Sequence, residues 1–292
     1  METYIQKAST LLEALPYIQR FRDQIFVVKY GGSFMDSEDP AVRESVARDI
    51  VFLEAVGINP VVVHGGGKAI TRAMEREGLN ATFVHGFRKT DAASVSVVER
   101  TLSREINPEI VDTVRRLGGN ATGFSGTEVL GCEKFYAKDP EGQSVDIGFV
   151  GRVNRVETDR LFEQIENHVT PVVSPTAVGP DGAVYNCNAD VAAAQVAIAL
   201  NARRLVFMSD VPGLMRDPSD PSSVISHLRV EDTLALKHEG VISAGMIPKV
   251  DSAVEAIQKG VNKVSFVDGR VTHSVLLEIF TDEGFGTEVV LS

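Results

Sequence analysis

The sequence has only two cysteines, Cys132 and Cys187, and they stand alone. A disulfide framework is therefore not expected, no metal-ligand spacing is present, and the thiols fit a reducing cytosol. No apolar run is long enough to span a bilayer, and no segment has the layout of a signal peptide. Positive charge is scarce: 29 Lys and Arg face 40 Asp and Glu, a net charge of −11. That balance makes nucleic acid and anionic membrane poor partners. Repeats, low-complexity tracts and disordered linkers are missing too. With 292 residues, 43% hydrophobic and 24% charged, the chain has material for one large soluble domain or two smaller ones.

The common nucleotide fingerprints are also missing. A P-loop needs a glycine, four residues and then Gly-Lys-Ser/Thr, but Lys68 is followed by Ala69. The dinucleotide pattern starts at Gly65 and Gly67 and fails at Ile70. No serine–histidine arrangement, metal cluster or cysteine nucleophile stands out.

What is present is a strand that ends in a lysine and a glycine turn. Ile25 to Val28 is apolar and β-branched, and Lys29-Tyr30-Gly31-Gly32-Ser33 follows. Open α/β sheets place ligands at the carboxyl ends of such strands, and glycines bring backbone N–H groups close to an anion. A plain strand with Lys29 reaching into water is the bland alternative. Pro60 to His64 repeats the idea, running into Gly65-Gly66-Gly67-Lys68 and a helix. Strand, glycine turn and helix N-terminus together form an anion site.

The rest of the chain reads in order. Residues 1–24 space Leu11, Leu12, Leu15, Ile18 and Phe21 as a helix interrupted by Pro16. They form either a helix packed on its own domain or a kinked arm for another subunit. Asp39-Pro40 caps a helix carrying Val42, Val46, Ile50 and Leu53, closed by Gly57. Strand and helix therefore alternate, the pattern of a helix-covered parallel sheet. Arg88 lies in the loop before a helix capped by Asp91, as a solvated side chain or as a carboxylate clamp. A second helix passes Pro108 to Gly118-Gly119. Residues 129–156 read as a β-hairpin insertion turning at 139–142, placed to act as a lid.

Pro171 to Ser174 is a strand, and Asn186-Cys187-Asn188-Ala189-Asp190 precedes an alanine-rich helix over 191–200. Arg204 to Ser209 and Val264 to Val267 are further strands, His273 to Phe280 a helix and Thr287 to Leu291 a last strand. Lys249 falls at the start of a helix, where a cation opposes the helix dipole. A local rule broken this way hints at function. Lys29, Arg88 and Lys249 beside glycine N–H groups suit phosphoryl transfer, which needs positioning and positive charge more than covalent chemistry. Asp190 is placed to align the two lysines, and magnesium would arrive with the nucleotide.

These motifs, in this order and spacing, resemble the amino acid kinase family, and within it the acetylglutamate kinases. The resemblance rests on Val28-Lys29-Tyr30-Gly31-Gly32, His64-Gly65-Gly66-Gly67, Gly86-Phe87-Arg88-Lys89-Thr90-Asp91, Asn186-Cys187-Asn188-Ala189-Asp190, Ser209-Asp210-Val211-Pro212-Gly213 and Gly245-Met246-Ile247-Pro248-Lys249. It implies an α/β fold, an open, mainly parallel sheet sandwiched by helices, with the β-hairpin insertion and an N-terminal helix. Residues 1–24 would be an oligomerisation and regulatory helix, 25–200 an acetylglutamate-binding lobe and 201–292 an ATP-binding lobe.

It implies ATP-dependent phosphorylation of the side-chain carboxylate of N-acetyl-L-glutamate, a step of arginine biosynthesis. Lys29, Lys249 and Asp190 look like the catalytic residues. Gly66, Gly67, Arg88 and Asn186 look like the substrate site. Gly31, Gly32, Asp210, Val211, Pro212, Gly213, Leu214, Met215, Val241, Ile242 and Ser243 look like the nucleotide site. No protein side chain is expected as a metal ligand. The N-terminal segment resembles the arginine-inhibited, hexameric branch, built as a trimer of dimers, with Tyr17, His273, Glu278 and Gly284 near the L-arginine site. Phe87, Lys89 and Cys187 depart from the family pattern. Aspartokinases carry further domains after the kinase, and uridylate and carbamate kinases lack this Arg88 loop. A non-catalytic amino acid sensor of the same fold is the rival of another class.

Overall fold

A computed structural model describes residues 2–32, 35, 37, 39–84, 86–138, 142–243, 245–281 and 284–291. Ser33, Ala244 and most of the turn expected at 139–142 lie outside them. The chain opens with α1 (Glu2–Phe21), β1 (Ile25–Tyr30), α2 (Pro40–Ala55), β2 (Asn59–His64) and α3 (Gly67–Arg76). A short hairpin follows, β3 (Phe83–Val84) and β4 (Phe87–Arg88), then α4 (Ala92–Glu99), a π-helical stretch Arg100–Ile106 and α5 (Asn107–Arg116). The middle holds β5 (Ala121–Phe124), β6 (Leu130–Lys138), β7 (Ser144–Val156), α6 (Thr158–Glu166), β8 (Thr170–Val173), β9 (Thr176–Val178), β10 (Val184–Cys187) and α7 (Ala189–Ala199). The last part is β11 (Arg204–Ser209), β12 (His227–Arg229), α8 (Thr233–His238), α9 (Met246–Gln258), β13 (Lys263–Asp268), α10 (Ser274–Ile279) and β14 (Thr287–Val290).

Eight strands form one open sheet in the order β12-β14-β13-β11-β1-β2-β8-β5. All neighbours run parallel except β13 and β14. Strand alternation sends successive side chains of β1 to opposite faces. Phe26, Val28 and Tyr30 enter a core with Ile50 and Leu53 of α2, Val114 of α5 and Val275 and Ile279 of α10. Val27 enters the other core, with Ala192, Ala193 and Val196 of α7 and Val250 and Ala253 of α9. Lys29 shares the parity of Val27, so its ammonium goes to the face where α7 begins. The small side chains of α7 let it lie close to the sheet.

Several expectations change. Pro16 does not end α1, which runs through it to Phe21. The carbonyl it deprives of a donor belongs to the exposed turn at Leu12, where water can serve it, while Phe21 anchors the end in the core. Arg88 sits on β4 rather than in a loop. The two helices expected after Asp91 and past Pro108 run on through the π-helical stretch, although α4 buries Val97 and Val98 in one core and α5 buries Ile110 and Val114 in another. The 129–156 segment forms the expected hairpin, yet it also closes with β9 and β10 into a four-stranded barrel. Those two strands are short and polar enough to read as loop.

The caps hold as expected. Asp39 accepts from the Ala41 amide and Asp91 from the Ser94 amide, both at 2.8 Å.

Candidate active site

The two glycine turns meet at the carboxyl ends of β1 and β2. The Gly65 amide donates to the Tyr30 carbonyl at 2.7 Å. A side chain on Gly31 would begin 3.0 Å from Lys29 Nζ and 3.3 Å from Gly65 Cα, and one on Gly66 would strike Leu102 and Ile106 of the π-helical stretch. Both glycines stand at points of close approach, and a larger residue at either would have to displace its neighbours. His64 is buried, and burial depresses its pKa to about 4. It is neutral: Nδ1 donates to the Gly65 carbonyl at 2.8 Å and Nε2 accepts from Asn107 at 3.3 Å, which pins the turn.

Beside this seam lie three charges. Asn188 caps α7, accepting from the amides of Asp190 and Val191 at 2.8 and 3.2 Å. That cap sets Asp190 in the first turn of α7, between Lys29 from β1 and Lys249 from the first turn of α9. Asp190 Oδ1 is 3.0 Å from Lys29 Nζ and Oδ2 is 2.8 Å from Lys249 Nζ. Burial alone would raise the Asp190 pKa, but the two ammonium groups outweigh it and hold it at about 2. Burial lowers the pKa of Lys29, with Asp190 opposing. The cluster therefore carries one net positive charge when both lysines are protonated, in a site where an isolated charge is costly.

Arg88 is the second anchor. It is 8% exposed and donates through one nitrogen to the Gly67 carbonyl at 2.9 Å and Thr71 Oγ1 at 2.8 Å. The Phe83 ring lies under it at 4.8 Å. Among the described residues no carboxylate pairs with it, and burial lowers its pKa. A buried guanidinium held only by neutral groups is arranged for an incoming anion. Thr71 and Phe83 carried little signal in the sequence: Thr71 is one turn beyond Gly67, and Phe83 gains its place only through the β3–β4 pairing. Asn186 donates to Thr90 Oγ1 at 3.3 Å, so it stands beside the Arg88 strand.

A cleft of about 1180 Å³ opens over the turns, lined by Gly32, Gly66, Gly67 and, from the other half of the chain, Asp210. Val211, Pro212, Gly213 and Met215 follow β11 as the expected loop. Leu214 and Ile242 are buried side chains, so they can offer a ligand only backbone. Val241 is partly buried and Ser243 exposed.

The four regulatory candidates lie around α10. Tyr17 packs edge-on against Phe280, ring centroids 6.2 Å apart. His273 Nδ1 is 2.6 Å from Asp49 Oδ1. The Glu278 carboxylate is buried and already engaged. It accepts from Ser265 Oγ at 2.6 Å and the Phe285 amide at 2.9 Å, with Lys263 at 3.3 Å. Gly284, at φ +68°, lies against it. A guanidinium could reach Glu278 only by displacing one of these partners.

Residues 24–268 match the Amino acid kinase family. The chain belongs to the amino acid kinase family. Its relatives in that family include the acetylglutamate kinases of Akkermansia muciniphila, 48% identical over 288 residues and covering 98% of this chain and 96% of that one, and of Heliobacterium modesticaldum, 45% identical over 292 residues with 98% of each covered. Among solved structures, N-acetylglutamate synthase from Neisseria gonorrhoeae, complexed with coenzyme A and N-acetyl-glutamate, superposes with a TM-score of 0.83. It is 23% identical, and the match covers 98% of this chain and 63% of that one. That likeness is one of fold. The open, mainly parallel sheet between two helix layers is the architecture expected for an amino acid kinase.

Proposed function

We propose that the protein transfers the γ-phosphoryl group of ATP to the side-chain carboxylate of N-acetyl-L-glutamate, giving N-acetyl-L-glutamyl 5-phosphate and ADP for arginine biosynthesis. The observation that carries this reading is the Lys29–Asp190–Lys249 cluster set against the glycine turns. The acceptor carboxylate is ionised at neutral pH, so it attacks phosphorus without a general base. As the bond from phosphorus to the ADP oxygen breaks, charge builds on the oxygens around phosphorus. Lys29 and Lys249 neutralise it, and Asp190 keeps the two ammonium groups apart and in register. Gly31 and Gly32 offer backbone N–H groups to the nucleotide phosphates, and magnesium comes bound to them. Arg88 takes the α-carboxylate of acetylglutamate, with Gly66, Gly67 and Asn186 lining its site. The names of the relatives support this choice of acceptor.

A coupled assay for ADP release, with acetylglutamate and separately with aspartate, carbamate and uridylate, tests it. Turnover is expected with acetylglutamate alone. Turnover with none of them would favour the amino acid sensor.

Regulation by L-arginine and a hexameric assembly belong to the same proposal. Tyr4, Ile5, Leu11, Leu12 and Leu15 are 42–73% exposed and share one face of α1. Such a stripe is ordinarily covered, here by the same helix of another subunit in a closed ring. Arginine would bind near Tyr17, His273, Glu278 and Gly284. Most of the exposed stripe can be removed without touching Tyr17 or Phe21, which pack on the body. Deleting residues 2–13 is expected to leave turnover intact, reduce the particle mass in light scattering and weaken arginine inhibition strongly. Unchanged mass and inhibition would make the segment a plain surface helix.

A further inference from the structure

The peptide between Gly65 and Gly66 has no Cβ on either flank, so it can turn over at little steric cost. Which way it faces decides what the cleft is offered, because the C=O and N–H of a trans peptide point in opposite directions. Gly66 lines the cleft, and among the described residues nothing accepts from its N–H. With the Gly65 carbonyl drawn toward buried His64, that N–H faces away from His64, as an anion requires. Turned over, the peptide would present a carbonyl oxygen and repel one.

The Gly65 carbonyl is held by His64 Nδ1 at 2.8 Å. The ring can hold it only with a proton on that nitrogen, and Asn107 decides the tautomer. Asn107 opens α5 and is 3% exposed. Its amide nitrogen donates to the Val172 carbonyl at 2.9 Å and the Phe124 carbonyl at 3.4 Å. Both oxygens can only accept, so the amide cannot be turned to set its own oxygen against them. His64 Nε2 faces the same nitrogen at 3.3 Å and must accept as well. The ring proton is left on Nδ1. Gly123 makes room for this arrangement, since a side chain there would strike the Asn107 amide oxygen.

We propose that His64 and Asn107 are positioning residues: Asn107 fixes the His64 tautomer, and His64 thereby keeps the Gly66 N–H aimed at the reacting carboxylate of acetylglutamate. The identity of that anion rests on the kinase reading; the tautomer does not.

Two substitutions at one position separate aim from packing. The asparagine side-chain nitrogen falls where Nδ1 stands, and the glutamine nitrogen where Nε2 stands. His64→Asn therefore keeps a donor for the Gly65 carbonyl. His64→Gln, nearer to histidine in size, does not. His64→Gln is expected to lower kcat by roughly one to two orders of magnitude, short of losing an oxyanion donor outright. Its KM for ATP should move by less than about threefold. His64→Asn should turn over at least about tenfold faster than His64→Gln. A packing role predicts the reverse order, and that order, or equal rates, would overturn the proposal.

The native full-length protein supplies a test that needs no variant to fold. Nitrogen NMR of protein labelled at histidine, with His64 assigned from its ring contacts, is expected to show Nδ1 protonated and Nε2 bare. Asn107→Asp, whose carboxylate only accepts, should move that proton to Nε2 and cut turnover as His64→Gln does. A native ring protonated at Nε2, a proton that stays on Nδ1 in Asn107→Asp, or a moved proton with native turnover would each overturn the proposal. The tautomer is read without any turnover, so failure of the kinase reading is separable from failure of the positioning.

Discussion

Lys249→Ala is expected to lower kcat by roughly two to three orders of magnitude, as for removal of one preorganised transition-state donor. The KM for acetylglutamate should change by less than about threefold, because the lost charge acts on the moving phosphoryl group rather than on bound substrate. Folding should survive. Lys249 is in the first turn of α9, where a cation opposes the dipole by about 0.3–1 kcal/mol, and Lys29 remains 3.0 Å from Asp190 to balance it. The opposite deletion would be harsher: without Asp190, two partly buried ammonium groups would face each other unpaired. Steady-state kinetics with both substrates varied, alongside a thermal melt, check the expectation. A variant with near-normal kcat removes Lys249 from the chemistry.

Arg88→Lys is expected to weaken acetylglutamate binding by about one to two orders of magnitude while leaving ATP affinity alone. The guanidinium is positioned by four neighbours at once: the Gly67 carbonyl, Thr71 Oγ1, Met74 Sδ and the Phe83 ring. Its planar group can trade these neutral partners for a carboxylate held by two parallel N–H groups. An ammonium in that place keeps the charge but can satisfy the carbonyl and hydroxyl only by turning away from the ligand. Direct titration of each ligand measures the two affinities separately. An equal loss for both would place Arg88 at the nucleotide instead.

Much of the site is legible in the sequence because it is built from local signals. A β-branched run followed by glycines marks β1 and β2, and the parity of Lys29 against Val27 already selects the face on which its ammonium emerges. Lys249 reveals itself by defying the helix dipole. What stays hidden depends on pairing between distant segments. β10 reads as loop because Asn186 and Cys187 make sense as strand only beside Val150 and Gly151. The continuity of α1 through Pro16 is decided by Phe21 entering the core, a tertiary contact that outweighs local preference. The occupied state of the Glu278 carboxylate likewise depends on Ser265 and Phe285 from neighbouring segments.

The place of β1 in the sheet also bears on how the chain is made. On one side it pairs with β2, from the next part of the chain to emerge; on the other it pairs with β11, beginning with Phe26 opposite Arg204. During synthesis one edge of an almost wholly apolar strand must wait for the intervening segments to leave the ribosome. Edges of that kind recruit wrong partners, and pairings of such long range are slow to close. Productive folding therefore favours conditions that shield the nascent N-terminal half, such as chaperone capture or a lowered translation rate, and recovery from denaturant should suffer most at high protein concentration.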